Sequence, residues 1–430
     1  RLSSNNKPWP QLDIDQAISQ IEKHTKVSLA PSQHQAVIQT LSNKVSVITG
    51  GPGVGKTTIV NTILKILLAK GISVKLAAPT GRAAKRMTQA TGLEAFTIHR
   101  LLEFDPSVFG FKKNQDNQLA TKFIVIDEVS MVDIVLMHQL LKAIPTNCSI
   151  LLVGDVDQLP SVGPGSVLAN IIGSHKVATS KLTEIFRQAA SSQIITNAHR
   201  INAGELPNLV HNKETKTYFY FINAQTPEDI YQKLLFVVGK RIPHSFNLDP
   251  INDIQVLTPM NKGGIGARSL NIELQKLLNP DSHPQVTRYG WTFAPNDKVI
   301  QTSNTYDKEV FNGDIGTITH IDTEEAEVTI NFDNKIVKYD FNELDEVSLA
   351  YATSIHKSQG SEYPAVVIPI AMQHYKLLER NLLYTAVTRG KKLVVIIGQK
   401  KALSMAVNSV KSVKRITRLQ ERIVEAIITS

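Results

Sequence analysis

The chain has 430 residues, with 47 Lys plus Arg against 38 Asp plus Glu for a net charge of +9, and 42% of it is hydrophobic. That hydrophobic share excludes a disordered or fibrous protein, the length predicts about three domains, and one cysteine, Cys148, excludes a disulfide framework or a Cys-rich metal site, which fits a reducing compartment. The longest unbroken apolar run, residues 365–372, contains Pro369 and falls far short of the ~20 residues that span a bilayer, so a soluble chain with no membrane partner is expected. No secretory signal opens the chain, and it starts at Arg1 rather than Met, which leaves room for upstream sequence.

Residues 1–28 read as a lead-in. Over 29–190, strand-like apolar runs at 45–49, 74–78, 123–126 and 150–153 are spaced by stretches long enough for crossovers, which predicts a parallel α/β sheet. The polar stretch 103–122, with Phe109, Gly110 and Phe111 near its centre, predicts a small excursion or hairpin. Runs at 254–257 and 298–300 follow, and alternating segments at 315–321, 327–332 and 335–341 predict a small antiparallel barrel over about 285–349. Buried-strand runs return at 365–370 and 393–398. The barrel therefore reads as an insertion in a second α/β domain, 191–430.

The charge is unevenly placed. Residues 389–430 hold ten basic and two acidic side chains, nearly the whole excess, whereas 319–349 sets nine acids against Lys335 and Lys338. The acidic segment is not expected along a phosphate backbone. Lys411, Lys414, Arg415, Arg418 and Arg422 recur at helical spacing, opposite Val413, Ile416, Leu419, Ile423 and Ile427. This predicts one amphipathic helix over about 402–428 whose basic face is either merely solvated or meets DNA or a protein partner.

Residues 50–58, GGPGVGKTT, follow the strand VSVIT and open a helical pattern, the context of a phosphate-binding loop. Backbone N–H groups of Gly51, Gly53, Val54 and Gly55, with Thr58 in the first helical turn, are placed to cradle phosphates. Lys56 would reach the β/γ-phosphates of ATP, and Thr57 would ligate Mg²⁺. The strand KFIVIDEVS ends in Asp127, a second candidate Mg²⁺ ligand, and Glu128, which could polarise an attacking water. Gln158, beyond the strand SILLVGD, is either a γ-phosphate sensor or an ordinary loop amide. No HExxH or paired-Cys zinc pattern occurs, and no separate carboxylate cluster suggests a nuclease.

The order of further motifs narrows the NTPase class. APTGRAAKRM, TIHRLL, VIDEVSMVD, GDVDQLPSVGPGSVL, LTEIFRQ, NAHRIN, VLTPMNKGGIGARSLN, NTYDKEVFNGDIG, SIHKSQGSEYPAVVIP and NLLYTAVTRGKK resemble, in this order, the RecD-like superfamily-one DNA helicases, and most closely the stand-alone branch. The resemblance runs from about residue 29 to at least 398. It implies two RecA-like P-loop motor domains, 1A and 2A, a hairpin insertion 1B at 103–122 and an SH3-like β-barrel 2B at 285–349.

By the same resemblance, Gln33, with Gln35 as the other choice, would read adenine. Arg187 and Arg389 would reach the γ-phosphate, and Gly360 and Glu362 would contact nucleotide. Pro79, Thr80, Arg82, Thr97, His99, Thr258, Asn304, Asn312, Ser354 and His356 would contact DNA, though each taken singly could equally be a cap or a core residue. Relatives commonly carry Thr where Ser354 stands; the hydroxyl is kept. The implied activity is an ATP-dependent DNA helicase: a monomeric, cytoplasmic, nucleoid-associated motor moving 5′ to 3′ on single-stranded DNA and opening single/double-strand junctions. The other readings are a DNA-stimulated ATPase that remodels nucleoprotein without unwinding, and a nucleotide-switched DNA-binding adaptor.

Overall fold

The computed structural model describes residues 7, 9, 12–26, 28–105, 107–108, 110–185, 191–209, 217–410 and 415–428. The chain divides into two compact units, Arg1–Ser191 together with Ser412–Ser430, and Ser192–Lys411.

In the first unit the strands are β1 Val45–Gly50, β2 Val74–Ala78, β3 Ala95–Thr97, β4 Phe104–Asp105, β5 Gly110–Phe111, β6 Phe123–Ile126, β7 Ser149–Gly154 and β8 Ala178–Leu182. Six of them form a parallel sheet in the order β3-β2-β6-β7-β1-β8. Alternate side chains enter different cores. Ile48, Phe123, Val125 and Leu151 pack with the helices Ile14–Thr25, Pro31–Ser42 and Lys56–Ala69. Val47, Ile124, Ile126 and Leu152 pack with Ile134–Ala143 and Val167–Gly173. Helices on both faces explain why these strands read as unbroken apolar runs. The excursion is an antiparallel β4–β5 pair in which Phe104 faces Phe111.

The second unit contains β9 Phe219–Asn223, β10 Ile254–Thr258, β11 Val286–Arg288, β12 Trp291–Phe293, β13 Lys298–Gln301, β14 Ile315–Asp322, β15 Glu327–Phe332, β16 Lys335–Asp340, β17 Val347–Leu349, β18 Ala352–Ser354, β19 Tyr363–Ile370 and β20 Gly390–Gly398. A parallel sheet runs β18-β10-β19-β20-β9 and an antiparallel one β16-β15-β14-β13-β17. The insertion is fused to its host. Val299, Ile318, Val328 and Tyr339 of the antiparallel sheet share one core with Val256, Ala365 and Val395 of the parallel sheet.

Buried polar bonds join them as well. Asp297 accepts from Tyr351 Oη (2.8 Å), Asn279 Nδ2 (2.8 Å), Gln275 Nε2 (2.6 Å) and the Ala294 N–H (2.7 Å). Lys298 Nζ donates to the carbonyls of Ile251 (2.8 Å) and Ile254 (3.1 Å). The acidic residues of this region find local partners too: Lys338 pairs with Glu327 and Lys335 with Glu309.

The tail departs from expectation. Instead of one helix over 402–428 there are two, Lys400–Asn408 in the second unit and Leu419–Ile428 in the first, and residues 415–418 are not helical. Arg418 adopts φ +55°, which a continuing right-handed helix excludes. Side-chain anchoring replaces helical bonding: Arg415 binds loop carbonyls of the first unit, and Gln420 Nε2 donates to the Gly173 carbonyl at 2.9 Å. The continuous basic face therefore does not form, and Arg418 pairs with Glu425 at 3.7 Å. Lys411, Val413 and Lys414 lie outside the described residues. Among the described residues no helix is long and apolar enough to cross a membrane.

Candidate nucleotide and nucleic-acid site

The phosphate loop joins β1 to the helix Lys56–Ala69 at the C-terminal edge of the first sheet. Gly53 and Gly55 take φ +76° and +83°, a left-handed backbone that costs glycine least. At Gly50 a Cβ would meet the Leu182 carbonyl at 2.8 Å and Val54 Cγ2 at 2.9 Å, so the loop cannot be built on a larger residue there. Lys56 Nζ donates to the carbonyls of Gly50 (2.6 Å) and Gly51 (2.8 Å), while Thr57 is exposed and Thr58 half-buried in the first helical turn.

Gln33 is buried. Its Oε1 accepts from the Ala30 N–H at 3.0 Å and its Nε2 donates to the Val54 carbonyl at 2.9 Å, so it ties the entering helix to the phosphate loop. Gln35 has no such link among the described bonds.

At the end of β6 the Asp127 carboxylate accepts from the Glu128 N–H at 2.8 Å. Asp127 keeps part of its surface open, yet burial and the adjacent Glu128 charge push its carboxyl up to about 6, against the opposing pull of Arg86 and Lys56. Glu128 is itself buried, in a left-handed conformation (φ +51°), and Arg86 Nη2 meets its Oε1 at 2.5 Å. Arg86 pairs with Glu128, while the Asp127 carboxylate, partly open beside a second acid, is an oxygen donor of the kind a divalent cation takes. Gln158 is buried beyond β7, with its Nε2 on Asp155 Oδ2 at 3.1 Å, and Thr49 Oγ1 accepts from the Val156 N–H at 3.3 Å, joining this loop to the end of β1.

Sequence reading missed two of these participants, Arg86 and Asp155. Arg86 sits one helical turn after Arg82 on the helix Gly81–Thr91, and that i, i+4 spacing just after a strand end was the available signal. Asp155 had none beyond its place before Gln158.

In the second unit the nucleotide candidates come together where β19 and β20 begin, with Tyr363 in register with Gly390. Arg389 is buried and donates to the carbonyls of Ser361 (3.1 Å) and Thr385 (3.2 Å) and to Thr388 Oγ1 (3.1 Å). Gly360 has φ +74°, and Glu362 pairs with Lys391 at 3.2 Å. Arg187 lies outside the described residues.

The nucleic-acid candidates fall mainly on two outer strand pairs. Ala78 is in register with Thr97, so the segments that carry Pro79, Thr80 and Arg82 and that carry His99 both leave the same end of the sheet, and Thr258 is in register with Ser354, two residues before His356. Thr80 and Thr97 act as helix caps, accepting from the Ala83 and Arg100 N–H groups at 3.3 and 3.1 Å. The His99 ring packs on Phe104 and Phe111 at 6.0 and 5.8 Å between centroids, and burial lowers its pKa. Thr258 is a correction: it is fully buried with its hydroxyl donating to the Ile265 carbonyl at 2.8 Å, so this side chain is an internal clasp and offers nothing to a ligand. Ser354 is also buried, its Oγ accepting from the Lys357 N–H at 3.4 Å. Asn304 and Asn312 are exposed and joined, the Asn312 N–H donating to Asn304 Oδ1 at 2.9 Å.

Three family models match the chain: an AAA domain at residues 33–164, an ATP-dependent RecD-like DNA helicase SH3 domain at 270–332, and a UvrD-like helicase C-terminal domain at 349–397. The chain is 35% identical over 403 residues to the ATP-dependent RecD2 DNA helicase of Deinococcus radiodurans, covering 94% of this chain and 53% of that protein. It is 30% identical over 417 residues to the RecBCD enzyme subunit RecD of Mycobacterium tuberculosis, covering 87% of this chain and 70% of that one. It thus spans about half the length of the first relative and about two-thirds of the second. Among solved structures, the Pif1 helicase from Bacteroides in complex with ADP-AlF3 and ssDNA shares the fold, with a TM-score of 0.54 and 17% identity over 94% of this chain and 98% of that one.

Proposed function

The chain belongs to the RecD-like helicase family, and from that premise we propose that it is an ATP-dependent DNA helicase, coupling ATP hydrolysis to movement along single-stranded DNA and to duplex opening. The observation that carries this reading is the first sheet's C-terminal edge, where the phosphate loop, Lys56, the Asp127–Glu128 pair and Arg86 converge.

In this reading the phosphate-loop amides hold the β- and γ-phosphates, Lys56 exchanges its two carbonyl partners for phosphate oxygens, and Gln33 faces adenine. Thr57 and Asp127 would hold Mg²⁺, which neutralises charge on the phosphates. Glu128, paired with Arg86, orients the attacking water, and Gln158, held by Asp155, senses the γ-phosphate. Arg389 and Arg187 serve as the γ-phosphate arginines, Arg389 after leaving its carbonyl partners, with Gly360 and Glu362 beside the nucleotide.

On DNA, the helix cap at Thr80, the neighbouring Arg82, the exposed Asn304 and Asn312, and His356 hold the backbone without reading sequence, as a translocating motor requires. Movement is 5′ to 3′ by a single copy of the chain, and the β4–β5 hairpin, backed by His99, splits the duplex.

The test compares duplexes carrying a 5′ or a 3′ single-stranded tail, with an RNA-tailed control. Unwinding with ATP only from the 5′ tail is expected. Exclusive use of the 3′ tail would overturn the polarity, and DNA-stimulated hydrolysis without strand separation would reduce the chain to a translocase.

A further inference from the structure

Three backbone carbonyls in one short loop point at a single nitrogen of a residue some 250 positions away. Arg415 Nη1 meets the carbonyls of Ser161 (2.6 Å), Gly163 (2.8 Å) and Gly165 (3.0 Å), with Ser161 Oγ at 3.4 Å. Converging carbonyl dipoles repel one another unless donors sit among them; the Ser161 hydroxyl donates to the Gly163 and Gly165 carbonyls at 3.1 and 3.3 Å, and the guanidinium supplies the positive charge that reaches all three.

The loop is wedged from its other side as well. A Cβ on Gly163 would overlap Asp133 Oδ2 at 2.0 Å, and the Ile134 N–H donates to the Pro164 carbonyl at 3.0 Å. Asp133 in turn caps the helix Ile134–Ala143 through the Leu136 N–H at 2.8 Å. The clamped segment therefore lies between two things: the helix that follows the Asp127–Glu128 strand, and Gln158, three residues upstream of Ser161. Further tail contacts hold the strap in place, with Thr417 Oγ1 donating to Asn170 Oδ1 at 3.4 Å and Leu419 packing on the core beneath the sheet.

We propose that Arg415 is a positioning residue for ATP hydrolysis. It fixes the 161–165 loop and through it Gln158, which makes the basic tail part of the ATP-site scaffold rather than an arm for DNA. The proposal rests on reading the chain as an ATP-hydrolysing motor in which Gln158 senses the γ-phosphate.

Two measurements on the full chain test it. The first is single-strand-stimulated hydrolysis by Arg415→Ala, Arg415→Lys, Gln158→Ala and the Arg415→Ala/Gln158→Ala pair. Arg415→Ala is expected to lower kcat on the order of tenfold with the KM for ATP little changed. Arg415→Lys, which keeps a cation among the carbonyls, recovers most of the rate. In the Gln158→Ala background the loss vanishes, because both changes act on one group. Unchanged kcat in Arg415→Ala, or the same loss with Gln158 already removed, would overturn the proposal.

The second measurement needs no activity: amide exchange across 158–165 in the nucleotide-free chain. Faster exchange there in Arg415→Ala, with the β6 and β7 strands still protected, supports the clamp, and unchanged exchange rules it out. A wild-type chain that hydrolyses no ATP would instead sink the motor reading, leaving the exchange result to decide the clamp alone.

Discussion

The two parallel sheets carry their polar motifs at corresponding places but treat charge in opposite ways. At the first sheet's edge, ionisable groups are crowded: Asp127 beside Glu128, Arg86 on Glu128, Lys56 in the phosphate loop, and one carboxyl pushed up to about 6. In the second sheet several side chains donate to backbone carbonyls, although Gln255 Oε1 and Thr353 Oγ1 are buried without a hydrogen-bond partner among the described residues. Thr258 donates to the Ile265 carbonyl, Gln255 to the Ala350 carbonyl, and Arg389 to Ser361 and Thr385. Perturbed electrostatics gather where chemistry takes place, whereas satisfied buried groups hold a shape. The contrast sets an edge with a perturbed acid pair in the first sheet against a second sheet in which Arg389 is held by internal carbonyls.

Four substitutions can break or sharpen that contrast. Lys56→Ala should lower single-strand-stimulated phosphate release on the order of a thousandfold, the scale of losing a cation from a phosphoryl-transfer site, with DNA binding near wild type. Retained hydrolysis would remove the reacting site from the first sheet.

Asp297→Ala strips four donors of one buried acceptor and should destabilise the second unit by about 3–5 kcal/mol. Urea unfolding followed by Trp291 fluorescence in a Trp9→Phe background isolates that unit. A midpoint within error of the parent would mean that the unit does not depend on its polar hub.

Arg86→Ala should slow hydrolysis roughly tenfold and move the acid limb of its pH profile upward. The sign follows from the charges: Arg86 opposes the rise in the Asp127 pKa, so without it Asp127 stays protonated to higher pH and the loss is greatest near pH 6. A limb that moved downward would contradict the pairing.

The smallest effect is expected of Thr258→Val, about 1 kcal/mol in thermal unfolding with hydrolysis nearly unchanged, because one buried hydroxyl bond is lost. A rate loss on the scale of Lys56→Ala would erase the distinction between the sheets.

Much of this was legible in the residues. The apolar runs at 45–49 and 123–126 are strands because both sheet faces are covered, and the alternation over 315–341 is an antiparallel sheet because a period of two marks half-buried strands. What escaped depended on partners distant in sequence. Helical spacing alone favoured one long terminal helix, but carbonyls some 250 residues away capture Arg415, and residues 415–418 are not helical. Thr258 looks like a ligand-facing hydroxyl at a strand end until the Ile265 carbonyl closes over it. The Arg86–Glu128 pair, 42 positions apart, follows only from laying β2 beside β6.

Because the strap belongs to the first unit, that unit is written in two instalments, with Ser192–Lys411 spliced between them. During synthesis the second unit is fully translated before the first can be closed, so the nascent first unit waits with the loop after Gln158 unclamped while more than 200 residues emerge.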